Sequence, residues 1–186
     1  MEKIYVENPK NVLECFVCAI GDDDDNCHFK GVKEIAAGAF CTSEGVKQFF
    51  FDDSLTAVKK NAFKNCEELK LFCCGDVKKS KNIEELKGVE LYKTKQFSIE
   101  TTAFSGCEEL NAVVLPKCGE LIIEKNAFEG CSSLRAVVAL AEKIKITENP
   151  FKDCPKDSLT FVCYKNSDVE RFARENGYRY VNVQQK

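Results

Sequence analysis

An eight-residue block recurs along the chain and constrains the fold more than any other feature. It reads AFKNCEEL at residues 62–69, AFSGCEEL at 103–110 and AFEGCSSL at 127–134. Shorter copies are PFKDC at 150–154 and AFC at 39–41. The Phe residues at positions 40, 63, 104, 128 and 151 are separated by 23, 41, 24 and 23 residues. Repeats of roughly 20–50 residues predict a solenoid, because one such unit can bury its apolar side only against the next.

The long interval between Phe63 and Phe104 indicates one degenerate, shortened coil over residues 70–100. In this interpretation Ile83–Leu86 stands where Cys66–Leu69 stood, and the coil lacks its AF block. Lysines are frequent there, which favours a protruding or distorted loop. The sequence therefore predicts about six coils over residues 32–164.

Each coil has two short apolar pieces that are typical of strands rather than helices. The first follows the block, at residues 46–51, 69–74, 110–115, 134–140 and 159–164. The second precedes the next block, at residues 33–35, 55–58, 121–123 and 144–146. In a stack of such coils equivalent residues lie above one another. We therefore expect one internal ladder of Phe63, Phe104, Phe128 and Phe151, and a second of Cys66, Cys107, Cys131 and Cys154. These cysteines are interpreted as small buried packing residues.

The pattern AFxGCxxLxxVxLP, found at Ala103–Pro116 and Ala127–Leu140, resembles the BspA-like leucine-rich repeat. The resemblance covers roughly residues 32–183. It implies a right-handed β-rich solenoid with a parallel sheet on one face and little helix except a short C-terminal capping helix. The family is associated with adhesion and protein binding, and its repeats have no catalytic residues to transfer. The resemblance therefore implies a protein-binding module, without a cofactor.

Segments at both ends are predicted to cap a single domain. Residues 1–31 form the N-terminal cap, with a strand at residues 12–20. Residues 165–186 form a helix–strand cap, in which Ser167 is the N-cap of the helix and Gly177 ends it. The acidic residues Asp168 and Glu170 suit the positive start of that helix. A final strand at residues 178–183 should complete the stack.

Charge and hydropathy exclude several partners. The 27 basic and 30 acidic residues give a net charge of −3, which does not favour nucleic acid. No apolar run approaches the roughly 20 residues of a membrane span, so no membrane insertion is expected. No signal peptide is visible after Met1, which predicts a cytoplasmic protein; a leader removed upstream would make it extracellular or cell-surface. The 12 cysteines do not indicate a disulfide scaffold, because the chain has enough apolar residues for a core.

The outward side of the strands is the candidate binding face. Period-two alternation predicts a central outward row and two flanking rows that are unusually apolar. The partner-binding residues predicted there are Phe50, Leu71, Cys73, Glu90, Tyr92, Val114, Val138, Leu140, Phe161 and Cys163. Ordinary strand composition and a one-residue register error are the alternatives, and Val114→Glu with Val138→Glu should leave the fold intact if the row is exposed.

Two functions fit such a face. The first is a module that binds a protein partner, or a second copy of itself, through the sheet. The alternative is a cell-surface adhesin fragment that recognises host matrix or glycans.

Metal and enzyme chemistry are weaker hypotheses. Cys15, Cys18, Cys27 and His28 are ligand types for zinc, but a strand would point Cys15 and Cys18 to opposite faces. His28 is the single histidine and has no recognisable nucleophile and orienting residue in its sequence context. The acidic run at residues 22–25 lacks the spaced ligands of a calcium loop. Cys73 is predicted to be a surface thiol, and no metal, cofactor or catalysis is expected.

Overall fold

The structure, a computed structural model, describes residues 3–7, 12–19, 26–45, 47–52, 54–75 and 93–184. Within those ranges the chain forms short strands and one short helix. Their bounds are β1 Lys3–Glu7, β2 Val12–Ala19, β3 Asn26–Phe29, β4 Glu34–Ile35, β5 Gln48–Phe51, β6 Ala57–Val58, β7 Leu71–Cys74, β8 Lys93–Ile99, β9 Ala112–Val114, β10 Lys117–Ile123, β11 Ala136–Val138, β12 Ala141–Ile146, β13 Thr160–Tyr164, α1 Asp168–Glu175 and β14 Arg179–Val183.

The strands form two sheets that enclose the main core. Sheet A has the order β1-β2-β4-β6-β8-β10-β12, and sheet B has the order β14-β13-β11-β9-β7-β5-β3. Neighbouring strands are parallel except for the antiparallel pair β1–β2. This confirms the predicted leucine-rich-repeat solenoid. It also adds a sheet on the second face, because the second apolar piece of each coil pairs with its equivalent in the next coil.

The four Ala-Phe pairs and the Pro150-Phe151 pair lie in the corner turns, which we define as residues 38–42, 61–65, 102–106, 126–130 and 149–153. Their Phe rings stack face to face in a continuous column with centroid separations of 4.8, 5.1, 5.2 and 5.2 Å. All five rings are buried. Backbone hydrogen bonds join successive corner turns, because the N–H of each Phe donates to the residue before the next Phe: Phe40 to Ala62, Phe63 to Ala103, Phe104 to Ala127 and Phe128 to Pro150. The predicted aromatic ladder is confirmed and extends to Phe40.

The predicted cysteine ladder is also present, and its thiols do more than fill space. Each Sγ donates to the carbonyl of the Phe one coil earlier: Cys66 to Phe40 (2.8 Å), Cys107 to Phe63 (3.0 Å), Cys131 to Phe104 (3.1 Å) and Cys154 to Phe128 (3.0 Å). Burial raises the pKa of Cys107 well above the ordinary thiol value, and a hydrogen bond with Cys154 raises that of Cys131. These two thiols are therefore protonated donors rather than nucleophiles.

Positive φ angles explain which residues recur at the ends of the corner turns. The last position holds Thr42, Asn65, Gly106, Gly130 and Asp153, all in the left-handed region with φ between 57° and 75°. Only Gly adopts that region freely, while Asn and Asp tolerate it. Gly106 has a second reason to be Gly, because a Cβ there would overlap the side-chain oxygen of Asn65 in the neighbouring coil.

Phe63 and Phe104 are direct neighbours in the stack, although 41 residues separate them in the sequence. The two rings stack directly on each other, and the N–H of Phe63 reaches the carbonyl of Ala103. Likewise β6 pairs with β8, and β7 pairs with β9. The described segments 71–75 and 93–99 therefore supply the usual two strands, β7 and β8, of the coil whose corner turn contains Phe104. This pairing contradicts the separate degenerate coil predicted between Phe63 and Phe104 in the stack.

The turn count nevertheless stays at about six, because coils begin at β3, β5, β7, β9, β11 and β13. The first of these lies inside the range predicted to be the N-terminal cap. The strand predicted at residues 12–20 is β2, and with β1 it forms the antiparallel end of sheet A.

The C-terminal cap has the predicted form. Ser167 has an extended backbone, and its hydroxyl oxygen accepts a hydrogen bond from the N–H of Glu170 at 3.2 Å. Gly177 has φ +71°, so the chain turns back after the helix. Val169 and Ala173 are buried against the last coils, and β14 pairs with β13 in sheet B.

Candidate interaction surface

The parallel register of sheet B places one line of apolar side chains on the side away from the main core. Cys73 pairs with Val114, Val114 with Val138, and Val138 with Val162. These four residues, which we call the outer row, form a hydrophobic cluster separate from the main core. Because side chains alternate along a strand, Phe72 and Val113 point into the main core, as expected. The predicted outward orientation holds for Cys73, Val114 and Val138.

Burial of the outer row differs from the prediction. Cys73 and Val114 are 0% exposed, while Val138 and Val162 are 1% exposed. Partly buried apolar residues pack against them and form what we call the rim: Phe50, Leu71, Ala112, Leu140 and Val183. The outer row is thus a second small core, and the partly accessible apolar surface around it belongs to the rim. The expectation that Val114→Glu with Val138→Glu leaves the fold intact no longer holds, because both carboxylates would be buried.

The register of β13 corrects two predicted site residues. Val137 pairs with Phe161, so Phe161 and Cys163 point into the main core, where both are 0% exposed. Val162 takes the outward position instead. Ala112, Ala136 and Thr160 pair in successive strands and are evenly spaced in the sequence, so strict counting from the earlier strands gives the correct register. The error came from applying the LxxVxL pattern to each coil, because Leu159 lies 25 residues after Leu134 whereas Leu134 lies 24 after Leu110.

Glu90 and Tyr92 lie outside the described residues, so their placement in the predicted face stays a prediction. Of the ten predicted residues, the structure brings together Phe50, Leu71, Cys73, Val114, Val138 and Leu140.

An aromatic pair at the β3 end of sheet B adds a residue that the face prediction missed. His28 pairs with Phe50 in register, and the two rings stack at 4.6 Å with an interplanar angle of 9°. His28 is exposed, so it extends the rim by one strand. Its position could have been found from the sequence by aligning residues 26–29 with β5, which requires recognising them as the first strand of the stack.

Structural contacts fix other residues near this face. The Asp52 carboxylate accepts hydrogen bonds from the N–H groups of Gly31 (2.9 Å) and Ser54 (3.0 Å), which joins two coils. Lys117 lies over the ring of Tyr164 at 5.5 Å. Asp52 and Lys117 therefore tie neighbouring segments together.

The cysteine and histidine chemistry considered above has little geometric support. Cys27 is buried in the main core, whereas the next residue, His28, is exposed on the other side of β3, so one ion is not bound by both in this conformation. Cys15 and Cys18 lie in β2, but their side chains are outside the described residues, as is the acidic run at residues 22–25. Among the described residues no group of three or more His, Cys, Asp or Glu could hold a metal ion.

Cys73 is not the surface thiol that was predicted. It is 0% exposed, and its Sγ donates to the carbonyl of Gly75 at 3.7 Å. Burial also raises the pKa of Cys118 to about 12 and that of Cys163 to about 11. Cysteines 27, 41, 66, 73, 74, 107, 118, 131, 154 and 163 are free thiols, and Cys41 is exposed. These pKa shifts favour packing over nucleophilic chemistry for the buried members of this set.

In the described part of the chain, no helix is long and apolar enough to cross a bilayer.

Comparison with known proteins agrees with the repeat geometry. A family model described as a BspA type leucine rich repeat region matches in six copies, over residues 26–86 and 80–177. No curated protein matches the chain.

Three solved structures resemble it. The Treponema pallidum leucine rich repeat protein is 15% identical over 98% of this chain and 97% of that chain, with a TM-score of 0.43. A leucine rich cell surface protein from Faecalibacterium prausnitzii is 20% identical over 88% and 53%, with a TM-score of 0.33. A leucine-rich repeat protein from Bacteroides ovatus is 11% identical over 97% and 66%, with a TM-score of 0.42.

Proposed function

Because the chain belongs to the BspA-type leucine-rich repeat family, we propose that it is a non-enzymatic module that binds another protein through the outer face of sheet B. The observation that carries the proposal is the apolar rim around the outer row. Solenoid stacking explains the main core, but it does not require apolar residues on the far side of a sheet. Apolar groups concentrated on such a face are typical of contact surfaces.

The rim and its neighbour His28 define where contact would occur. Phe50 and Leu71 are each partly buried, so part of each side chain is accessible. His28 adds an exposed ring parallel to Phe50. Aromatic side chains beside a rigid apolar floor are the usual centre of a protein interface. The buried outer row supplies that rigid floor and is not itself the contact.

The non-enzymatic part of the proposal rests on the surroundings of the reactive residue types. The single histidine is stacked against Phe50. The raised pKa values of Cys74, Cys107, Cys118, Cys131 and Cys163 disfavour the thiolate that nucleophilic catalysis needs.

Charge introduced into the rim tests this proposal. Phe50→Glu with Leu71→Glu should remove specific partners from an affinity capture, or abolish self-association measured by sedimentation velocity. The matched control is Ile122→Glu, because Ile122 is also a half-buried apolar strand residue but lies in sheet A. If the rim double variant still captures the same proteins, or if Ile122→Glu loses them to the same extent, the result would count against the sheet B face. Recovery of matrix proteins or glycans instead would favour the adhesin alternative.

A further inference from the structure

A cavity of about 420 Å³ lies where the column of corner turns ends, beside the helix α1. It is distinct from the rim, because its lining comes from the last corner turn, the loop after it and the C-terminal cap. The residues that define it best are Asn149, Phe151, Asp153, Cys154, Phe172 and Tyr178. Its volume is within the range of roughly 300–1,000 Å³ that is usual for ligand sites.

Position in the stack indicates what this cavity is shaped to hold. At the last position of each earlier corner turn, the N–H donates to the next coil: Thr42 to Lys64, Asn65 to Ser105, Gly106 to Glu129 and Gly130 to Lys152. Asp153 has the same backbone conformation, with φ 60°, but within the described part of the chain its N–H has no acceptor. The donor therefore points along the stack toward the place of a missing corner turn.

The Phe column ends in the same place. Phe151 stacks on Phe128 at 5.2 Å on one side, while on the other side Tyr178 meets it edge-on at 5.9 Å and Phe172 at a tilt at 6.3 Å. The N–H of each earlier Phe donates to a carbonyl of the next coil, whereas the N–H of Phe151 donates to Asn149 Oδ1 at 3.2 Å. The cavity thus combines aromatic walls with a backbone donor in the geometry that a corner turn uses.

We propose that this cavity is a binding site for a short peptide segment that supplies a backbone carbonyl to the Asp153 N–H and an aromatic side chain to the wall formed by Phe151, Phe172 and Tyr178. The occupant has the chemistry of the corner turn itself, a small residue followed by Phe. The first three corner turns each hold an Ala-Phe pair from the following coil, and the fourth holds Pro150-Phe151, through the same N–H···O=C bonds and ring stacking.

A separate peptide segment fits this site better than the first coil of a second copy. The corner turn of that coil is attached to β3 and β4, which would have to lie beyond β13 and β12. Those positions are taken, because β14 pairs with β13 and α1 packs against both β12 and β13. A flexible segment brings no such flanking strands, although it loses conformational entropy on binding, which keeps the affinity modest.

This inference rests on the proposed function only in that the ligand is a polypeptide, since its site does not include the rim. The probe is a blocked synthetic peptide with the sequence of residues 125–134, with Ser in place of its Cys. The control peptide has Ala in place of its Phe. Cys154 lines the cavity and is partly buried, while Cys41 is exposed in the first corner turn at the other end of the column. The rate at which iodoacetamide alkylates Cys154, followed by mass spectrometry, reports occupancy of the cavity. The rate for Cys41 in the same sample is the internal reference.

The Phe peptide at about ten times its Kd should slow alkylation of Cys154 by about tenfold, by mass action. Cys41 should react at an unchanged rate, and the Ala peptide should not protect Cys154. No protection, or equal protection by both peptides, overturns the proposal. So does protection that rises with protein concentration in the absence of peptide, since that would make a second copy the occupant.

Fluorescence anisotropy of labelled peptide provides a second measurement that is independent of thiol reactivity. Asn176 is exposed and lines the cavity, so Asn176→Trp should fill it and abolish binding while the melting curve remains cooperative. Equal binding to Asn176→Trp would overturn the site. Phe50→Glu with Leu71→Glu should bind the peptide normally. If the unaltered protein does not bind the peptide, and the double variant still loses its partners, the cavity is rejected and the rim stands.

Discussion

The Phe rings of the corner turns and the outer row of sheet B are both buried and apolar, but they use sequence in different ways. In the column, Phe63, Phe104 and Phe128 each stack on an identical Phe above and below, and a thiol from the next coil donates to each carbonyl. The outer row holds one Cys and three Val, which need only fill the same space. A contact between copies of the same residue selects that residue in every coil. A contact with a variable neighbour selects only an apolar residue, so the outer row is harder to recognise in the sequence than the Phe column.

The largest expected effect tests whether the outer row is as closed to solvent as the Phe rings of the column. Val114→Glu with Val138→Glu places two carboxylates at sites that are 0% and 1% exposed, inside the apolar cluster of the outer row. Each uncompensated buried charge costs about 3–5 kcal/mol, so the double variant should not fold cooperatively. Circular dichroism during urea unfolding is the measurement. Val114→Leu with Val138→Leu is the control for altered side-chain size. A cooperative transition of unchanged midpoint in the Glu variant would show that the row is exposed.

Removal of one Phe ring tests the contribution of the Phe column to stability. Phe104→Ala deletes a fully buried side chain that stacks on Phe63 and Phe128 and meets Phe72 edge-on at 5.0 Å. The loss of unfolding free energy should be about 3–5 kcal/mol, because the rigid neighbours cannot close the cavity. Tyr180→Ala is the control, because Tyr180 is 39% exposed and should change stability by less than about 0.5 kcal/mol. Similar losses in the two variants would mean that the column is not a central part of the core.

The smallest effect separates packing from hydrogen bonding in the cysteine ladder. Cys131→Ala removes the thiol that donates to the Phe104 carbonyl at 3.1 Å. The carbonyl keeps its bond from the N–H of Cys107, so the cost should be about 1–2 kcal/mol. Cys131→Ser restores a donor in almost the same place and should recover part of that loss. If chemical unfolding shows Ser to be no better than Ala, the thiol acts by packing alone, as the sequence-based interpretation held.

The comparison also explains how far the sequence could predict the candidate site. A Phe at five positions, preceded by Ala at four of them, was enough for the solenoid, the Phe column and the Cys ladder. It was not enough for the outward face. Phe161 and Cys163 are each one position away from Val162, and a one-residue shift in register turns every side chain of a strand to the opposite face. Val114 and Val138 were assigned to the correct side, yet their burial depends on neighbouring side chains that the local pattern does not specify.

The sequence by itself determined the period, the two strands of each coil, the residues of the ladders and the C-terminal cap from Ser167 to Gly177. These features follow from contacts between equivalent residues and from local backbone chemistry, so they are written in the repeat. Tertiary structure alone decided that Phe63 stacks directly on Phe104, that the outer row is closed, and that the column ends in a cavity beside Asp153. Each of these depends on which segments become neighbours in space, and pairing across an interrupted repeat cannot be read from residue identity.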